Sequence, residues 1–194
     1  MEQMRQAFDR QVGMPDDEWL QLEPLVNVRE VPAKYTLQKI GSVATHHYFV
    51  VKGLVRFYYI TPEGKELNKG FYGEDYIAGS LSAMIMEEPN RFAIETLEPS
   101  IVIDLPLKQI HAVSGPGTAW ERLVNHCCQL MLVRNERREA ELLTLTAKQR
   151  FLQFVRNFPG YLERIPQYHI ASYLGITPVA LSKYKKQWLA DKEN

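Results

Sequence analysis

The chain has 194 residues, 45% of them hydrophobic, and its 23 basic and 23 acidic side chains cancel to a formal net charge of zero. That length allows one large domain or two small ones around a real apolar core, and the zero balance excludes any inference about partners from whole-chain charge. The distribution is uneven: between 147 and 189, Lys148, Arg150, Arg156, Arg164, Lys183, Lys185 and Lys186 stand against Glu163 alone, a local net of +6 that leaves −6 for the rest, as an acidic sensor joined to a basic nucleic-acid reader would show.

The first 26 residues read as helical, with apolar positions at Phe8, Val12, Trp19, Leu22 and Leu25. Pro15 opens a second helix, with Asp16 and Asp17 in its first turn. The N-terminus has no apolar leader and the chain no run of about 18 apolar residues, so neither a signal peptide nor a membrane contact is expected. A cytoplasmic location with reduced thiols is expected instead.

From 28 to 105 the pattern becomes short β-favouring runs: Tyr35–Ile40, His47–Val51, Leu54–Ile60, Phe92–Leu97 and Ile101–Leu105. Turn-forming Gly41-Ser42, Lys52-Gly53, Pro62-Glu63-Gly64, Gly73-Glu74 and Glu98-Pro99 lie between them. Such a series predicts a β-sandwich or barrel. Residues 106–118 read as a linking segment broken at Gly115-Pro116-Gly117.

From Thr118 to Thr144 no Gly or Pro intervenes, and Trp120, Leu123, Cys127 and Leu130, spaced by 3, 4 and 3, line one face of a long helix. The seam then meets Arg134 and Arg137. This face either lies on the sandwich or pairs with its twin in a dimer. Adjacent Cys127 and Cys128 cannot staple distant parts of the fold, form no CxxC pair and fall short of an iron–sulfur ligand set, so they read as small helix residues. Residues 147–158 give a further helix, stopped by Pro159-Gly160.

The segment 166–188, PQYHIASYLGITPVALSKYKKQW, has the pattern of a helix-turn-helix. Ala171 is small where a second helix would cross the first, and Gly175, four residues on, suits a left-handed turn. Ile170, Leu174, Ile176 and Leu181 seal the pair. Thr177 is an N-cap and Pro178 a first helical residue. Thr177, Val179, Ala180, Ser182, Lys183, Lys185 and Lys186 are then the residues expected to meet DNA bases and phosphates in a major groove.

A helical start, a many-stranded β-domain, a long helix and a terminal helix-turn-helix together resemble the Crp–Fnr family of bacterial regulators. Val50-Val51-Lys52-Gly53-Leu54-Val55, Gly64-Lys65-Glu66 and Gly73-Glu74-Asp75 are similar to the family's strand and turn elements. The stretch from Ile165 to Pro178 resembles the Bacteroidetes type. The resemblance implies an α+β protein in three parts: a jelly-roll (double-stranded β-helix) sensor like the cyclic-nucleotide-binding domain (1–117), a dimerisation helix (118–145) and a helix-turn-helix domain (146–194). The chain ends soon after Leu189, so little or no wing is expected. It implies double-stranded DNA, a second copy of the chain and a small effector as partners, with RNA polymerase a candidate.

The family's ligand positions fall on Gly79, Ser80 and Leu81 and on Arg91, Phe92 and Ala93. There the family has Gly-Glu for the ribose and Arg-Ser or Arg-Thr for the cyclic phosphate. Ser80 lacks the carboxylate that binds two hydroxyls, and Phe92 offers no hydroxyl, although Arg91 could still clamp an anion. Cyclic AMP is therefore disfavoured, and another small ligand or an empty pocket stays open. Haem sensing, which occurs in the broad family, would need a ligand such as His46, His47 or Cys127. Adjacent His46 and His47 point to opposite strand faces and no HxH or HExxH spacing occurs, so neither a metal site nor an enzyme is expected. The alternative reading is a ligand-binding signalling module with degenerate DNA binding, for which Val179, at a position often polar in the family, and the expected lack of a wing are the best support.

Overall fold

The computed structural model describes residues 1–193. Helix α1 (Glu2–Val12) ends at Gly13 in the left-handed region, and α2 (Asp16–Leu22) begins after Pro15 with three acidic residues against its positive dipole end. After one 3-10 turn come β1 (Asn27–Val31), β2 (Thr36–Gln38), β3 (His46–Lys52), β4 (Val55–Ile60), β5 (Glu66–Tyr72) and β6 (Ile77–Ala78). Then follow α3 (Leu81–Met86), β7 (Ala93–Thr96), β8 (Ser100–Pro106) and α4 (Leu107–Val113). The long α5 (Ala119–Thr144) leads to α6 (Ala147–Asn157), α7 (Tyr161–Arg164), α8 (Gln167–Leu174) and α9 (Pro178–Glu193).

The strands form two antiparallel sheets of four, ordered β1-β8-β3-β6 and β2-β7-β4-β5. Sequence neighbours β3 and β4 lie in different sheets, so the chain rolls between two layers. Their turn depends on Gly53 at φ 110, where a Cβ would collide with Ser100 Oγ.

Alternation along β3 decides the packing. Tyr48 and Val50 enter the roll interior with Val55, Phe57, Tyr72, Phe92, Ile94 and Val102. Phe49, on the other face, enters a second core with Met4, Phe8, Trp19, Ile103, Leu105, Trp120 and Leu123. Phe8 meets Phe49 edge-on at 5.8 Å and 87°. A third core joins Phe151, Phe154, Leu162, Ile170, Tyr173, Leu174 and Leu181 of the C-terminal helices to Leu54 and Phe71 of the roll.

Several expectations change. Residues 107–113 are helix α4, not linker, because Leu107 and Ile110, three apart, both bury. The sequence pattern does not reveal β1, β5 and β6. Asn-Val-Arg-Glu-Val and Glu-Leu-Asn-Lys-Gly-Phe-Tyr are too polar to show a strand period, yet β1 completes the edge beside β8 and β5 pairs with β4. No described helix is long and apolar enough to cross a membrane.

Candidate functional site

The α8–α9 pair is built by its turn. Gly175 takes φ 66 and ψ 39, and the Ile176 N–H donates to the Ala171 carbonyl at 3.0 Å while the Gly175 N–H reaches the Ser172 carbonyl at 3.2 Å. These are the two closing bonds of a Schellman motif. Ala171 is 1% exposed beneath α9, with Ile170, Leu174 and Leu181 buried around it and Ile176 half-buried. Thr177 Oγ1 accepts from the Ala180 N–H at 3.2 Å and caps α9, which Pro178 opens.

What α9 shows to solvent follows. Thr177, Val179, Ser182, Lys183 and Lys186 are exposed, Val179 to 80%, and Ala180 and Lys185 are half-buried. Ser182 Oγ already donates to Gln167 Oε1 at 3.1 Å. The lysines therefore offer cationic contacts, and Val179 an apolar one, on an uncovered helix face.

The back of α8 rests on β5. The Asn68 N–H donates to Ser172 Oγ at 3.1 Å and its side-chain amide to the His169 carbonyl at 3.2 Å. Arg56, 3% exposed, pairs with Glu66 at 2.6 Å and Glu95 at 2.8 Å, lies over the Tyr58 ring at 3.9 Å, and donates to His169 Nδ1 at 3.3 Å. Burial, then the Arg56 charge, pushes His169 down to about 4, so the ring is neutral and accepts. Arg164 bridges Glu74 at 2.8 Å and Glu98 at 2.6 Å, and Arg138 donates to the Tyr173 carbonyl. None of these ties is visible in the sequence, where Arg56, Asn68 and His169 sit far apart.

In the roll, Gly79 and Leu81 line one cavity with Phe57, and the other positions singled out have separate duties. Gly79 lies under the His47 ring, where a Cβ would collide with it. Ser80, 1% exposed, caps α3 by accepting the Ala83 N–H at 3.3 Å, and Leu81 begins that helix. The Arg91 side chain is 76% exposed and paired with Glu88 at 2.8 Å. Phe92 is buried, stacked on Phe57 at 5.1 Å and edge-on to Tyr59, and Ala93 is buried at the start of β7. Phe92 thus occupies interior space, and Arg91 turns away from it.

The seam of α5 divides. Trp120 and Leu123 are buried in the protomer's own second core, because α1 lies on that face with Phe8 at 6.4 Å from Trp120. That corrects the expectation that they pair two copies. Cys127 is half-buried, its thiol pushed up to about 11 by burial, while Leu130, Leu132 and Val133 are exposed by 52, 60 and 44%. Among the described residues, no group of three His, Cys, Asp or Glu could hold a metal ion.

Comparisons with known proteins agree with this architecture. Residues 28–114 match the family model of the cyclic nucleotide-binding domain. No curated protein matches the chain by sequence. Among solved structures, FixK2 from Bradyrhizobium japonicum is similar with a TM-score of 0.76 at 19% identity over 86% of each chain. The c-di-GMP-responsive global regulator CLP from Xanthomonas campestris gives 0.72 at 16% identity over 92% of this chain and 93% of that one. A protein from Eubacterium rectale, described as a transcriptional regulator of the Crp/Fnr family, gives 0.72 at 12% identity over 92% and 85%. The chain therefore has a cyclic-nucleotide-binding-domain fold followed by a helical region, an arrangement it shares with these solved structures.

Proposed function

We propose that the chain is a Crp/Fnr-type transcription regulator: a cytoplasmic homodimer that binds specific double-stranded DNA through a helix-turn-helix, α8 and α9, and senses an effector through its β-roll. The observation that carries this is the exposed Lys183, Lys186 and Val179 face of α9, set behind a Schellman turn with Ala171 at the crossing. The residues read as DNA contacts are Thr177, Val179, Ala180, Ser182, Lys183, Lys185 and Lys186.

Leu130 and Val133, neighbours three residues apart on α5, supply its apolar dimer face in place of Trp120 and Leu123. Two recognition helices held about one DNA turn apart would read a palindrome, and an effector that shifts α5 would change their spacing. The displaced Arg91 and the buried Phe92 speak against cyclic AMP held in the family's usual way.

The test is fluorescence anisotropy of the purified chain on duplex DNA across a salt series. Phosphate contacts by the α9 lysines require log affinity to fall linearly with log salt. A flat plot contradicts the reading. The exposed apolar Val179 favours a second reading, a ligand-sensing module whose DNA reader is degenerate, and that reading requires the same affinity for every duplex sequence.

A further inference from the structure

Beyond Leu123, α5 leaves the second core and gathers positive charge on one face. Arg134, Arg137 and Arg138 lie three and four residues apart, so their side chains are neighbours on the helix, and Glu141 follows one turn on. Like charges at that spacing weaken a helix rather than support it. All four residues line a groove of about 560 Å³, with Phe158 and Tyr173 of the C-terminal region in its wall. That volume is in the range of small-molecule sites. The lining sets three guanidiniums against the single Glu141 carboxylate, a net of +2 from these groups.

Two of the guanidiniums are held in place by the fold. Arg134 donates to the Phe71 carbonyl at 3.0 Å and lies over the Tyr72 ring at 4.0 Å and the Phe158 ring at 5.5 Å. Arg138 donates to the Tyr173 carbonyl through Nη2 and lies over the Tyr173 ring at 4.0 Å. Its Nη1 is buried with no hydrogen-bond partner among the described residues. The Glu141 carboxylate comes only to 3.8 Å from it, too far for a hydrogen bond. A buried charged donor left unmet is costly, and native proteins carry few. Burial above all, with the Arg150 and Arg134 charges adding to it, holds Arg138 below the ordinary guanidinium value. Arg137 is exposed and makes no hydrogen bond or ion pair among the described residues.

The groove therefore lacks negative charge, and its donors say which kind. Guanidinium forks bind phosphate oxygens through paired, charge-assisted bonds, and forks already fixed in place lose little freedom in doing so. We propose that this groove binds an anion carrying a diphosphate group, held by Arg137 and by Arg138 Nη1, with Arg134 adding charge. The site is separate from the roll interior and from the α9 lysines, and it rests on neither the sensing nor the DNA-binding reading. Leu130 and Val133, also in the lining, offer apolar surface to whatever carries the group. An anion bound here joins α5 to the C-terminal helices through Arg138 and Tyr173.

The experiment titrates the full chain, without DNA and in a phosphate-free buffer of low salt, with pyrophosphate and with ADP, by calorimetry and thermal melting. Pyrophosphate should bind one site per chain with Kd on the order of 0.1 mM, raise the melting temperature, and bind more weakly as salt rises. ADP binding as well as pyrophosphate or better assigns the diphosphate to a nucleoside, and weaker binding assigns it to the free anion. Arg137→Ala should weaken pyrophosphate binding about tenfold. Arg137→Glu should abolish it, and the exposed position keeps the test clear should Arg138→Gln, also expected to weaken binding, fold poorly. Lys183→Ala with Lys186→Ala should bind pyrophosphate as the unaltered chain does. The inference is overturned if pyrophosphate does not bind below about 10 mM, if Arg137→Glu binds it unchanged, or if the loss follows the α9 lysines instead. A second copy of the chain is the rival occupant, since Leu130 and Val133 belong to both surfaces. A chain that sediments as a dimer and takes no pyrophosphate fills the groove with its partner, which also overturns the inference. Because DNA is absent, these failures leave the DNA-binding reading untouched, and a chain that binds pyrophosphate in the groove but no DNA sinks that reading alone.

Discussion

The α8–α9 pair and the family's ligand positions in the roll are both marked out by residue patterns, and the fold treats them differently. In the helical pair, Ala171, Gly175, Thr177 and Leu181 build the turn and the seal, which leaves Val179, Lys183 and Lys186 exposed. In the roll, Ser80 is taken up as the cap of α3, Phe92 as interior packing and Arg91 as the partner of Glu88. A residue type at a matching position therefore informs about function only where the local backbone and core do not already use that side chain. The roll's buried polar atoms without a partner among the described residues lie instead at Gln38, His47 and Asn90, which no pattern at the ligand positions indicates.

That contrast can be broken or sharpened by substitution. The largest effect is expected at Phe71, 1% exposed and packed on Phe154 and Tyr173, which ties the roll to the C-terminal helices. Phe71→Ala should cost about 3–5 kcal/mol in urea unfolding, and a change below about 1 kcal/mol would mean the two regions do not share a core.

Acid is next. His47 and His169 are both held at about 4 in the folded chain against an ordinary 6.5. As pH falls below 6.5 the unfolded chain takes up protons that the folded chain refuses, so stability should drop steadily towards pH 4. His47 alone accounts for about 3 kcal/mol of that loss. Melting curves across this range check it, and His47→Leu should remove the His47 share of the drop and leave that of His169.

On the α9 side, Lys183→Ala with Lys186→Ala should weaken DNA binding by about 2 kcal/mol at low salt and lower the salt slope by about 2, read by anisotropy, with the melting temperature nearly unchanged. Thr177→Ala should cost about 1 kcal/mol of stability through the lost cap. Arg91→Ala should be smallest: its pair with Glu88 lies on the surface, so unfolding should shift by less than about 0.5 kcal/mol.

The order of parts can be read from sequence because each rests on local rules. The break at Pro159-Gly160, the Gly175 turn, the Thr177 cap and the unbroken run to Thr144 all act within a few residues, and the helices stand close to where those signals put them. What escapes is long-range. Strand β5 looks polar in isolation, yet its Asn68 holds α8, and Phe71 completes a core with residues 80–110 positions later. The apolar spacing of α5 marks a face, but only α1 packing decides that Trp120 and Leu123 turn inward and Leu130 outward. The Arg56–Glu66–Glu95–His169 cluster joins two regions 113 residues apart at its widest, and no spacing rule finds such a cluster.

The central claim, that an exposed basic α9 presented twice by a dimer reads DNA sequence, is tested most directly by selection. The purified chain is mixed with a randomised duplex pool at low and moderate salt, and the retained DNA is sequenced. Enrichment of a palindrome with half-sites about one helical turn apart is expected, and it should be lost in the Lys183→Ala, Lys186→Ala chain. Retention without enrichment under every condition would contradict the claim and leave the roll as the working part of the molecule.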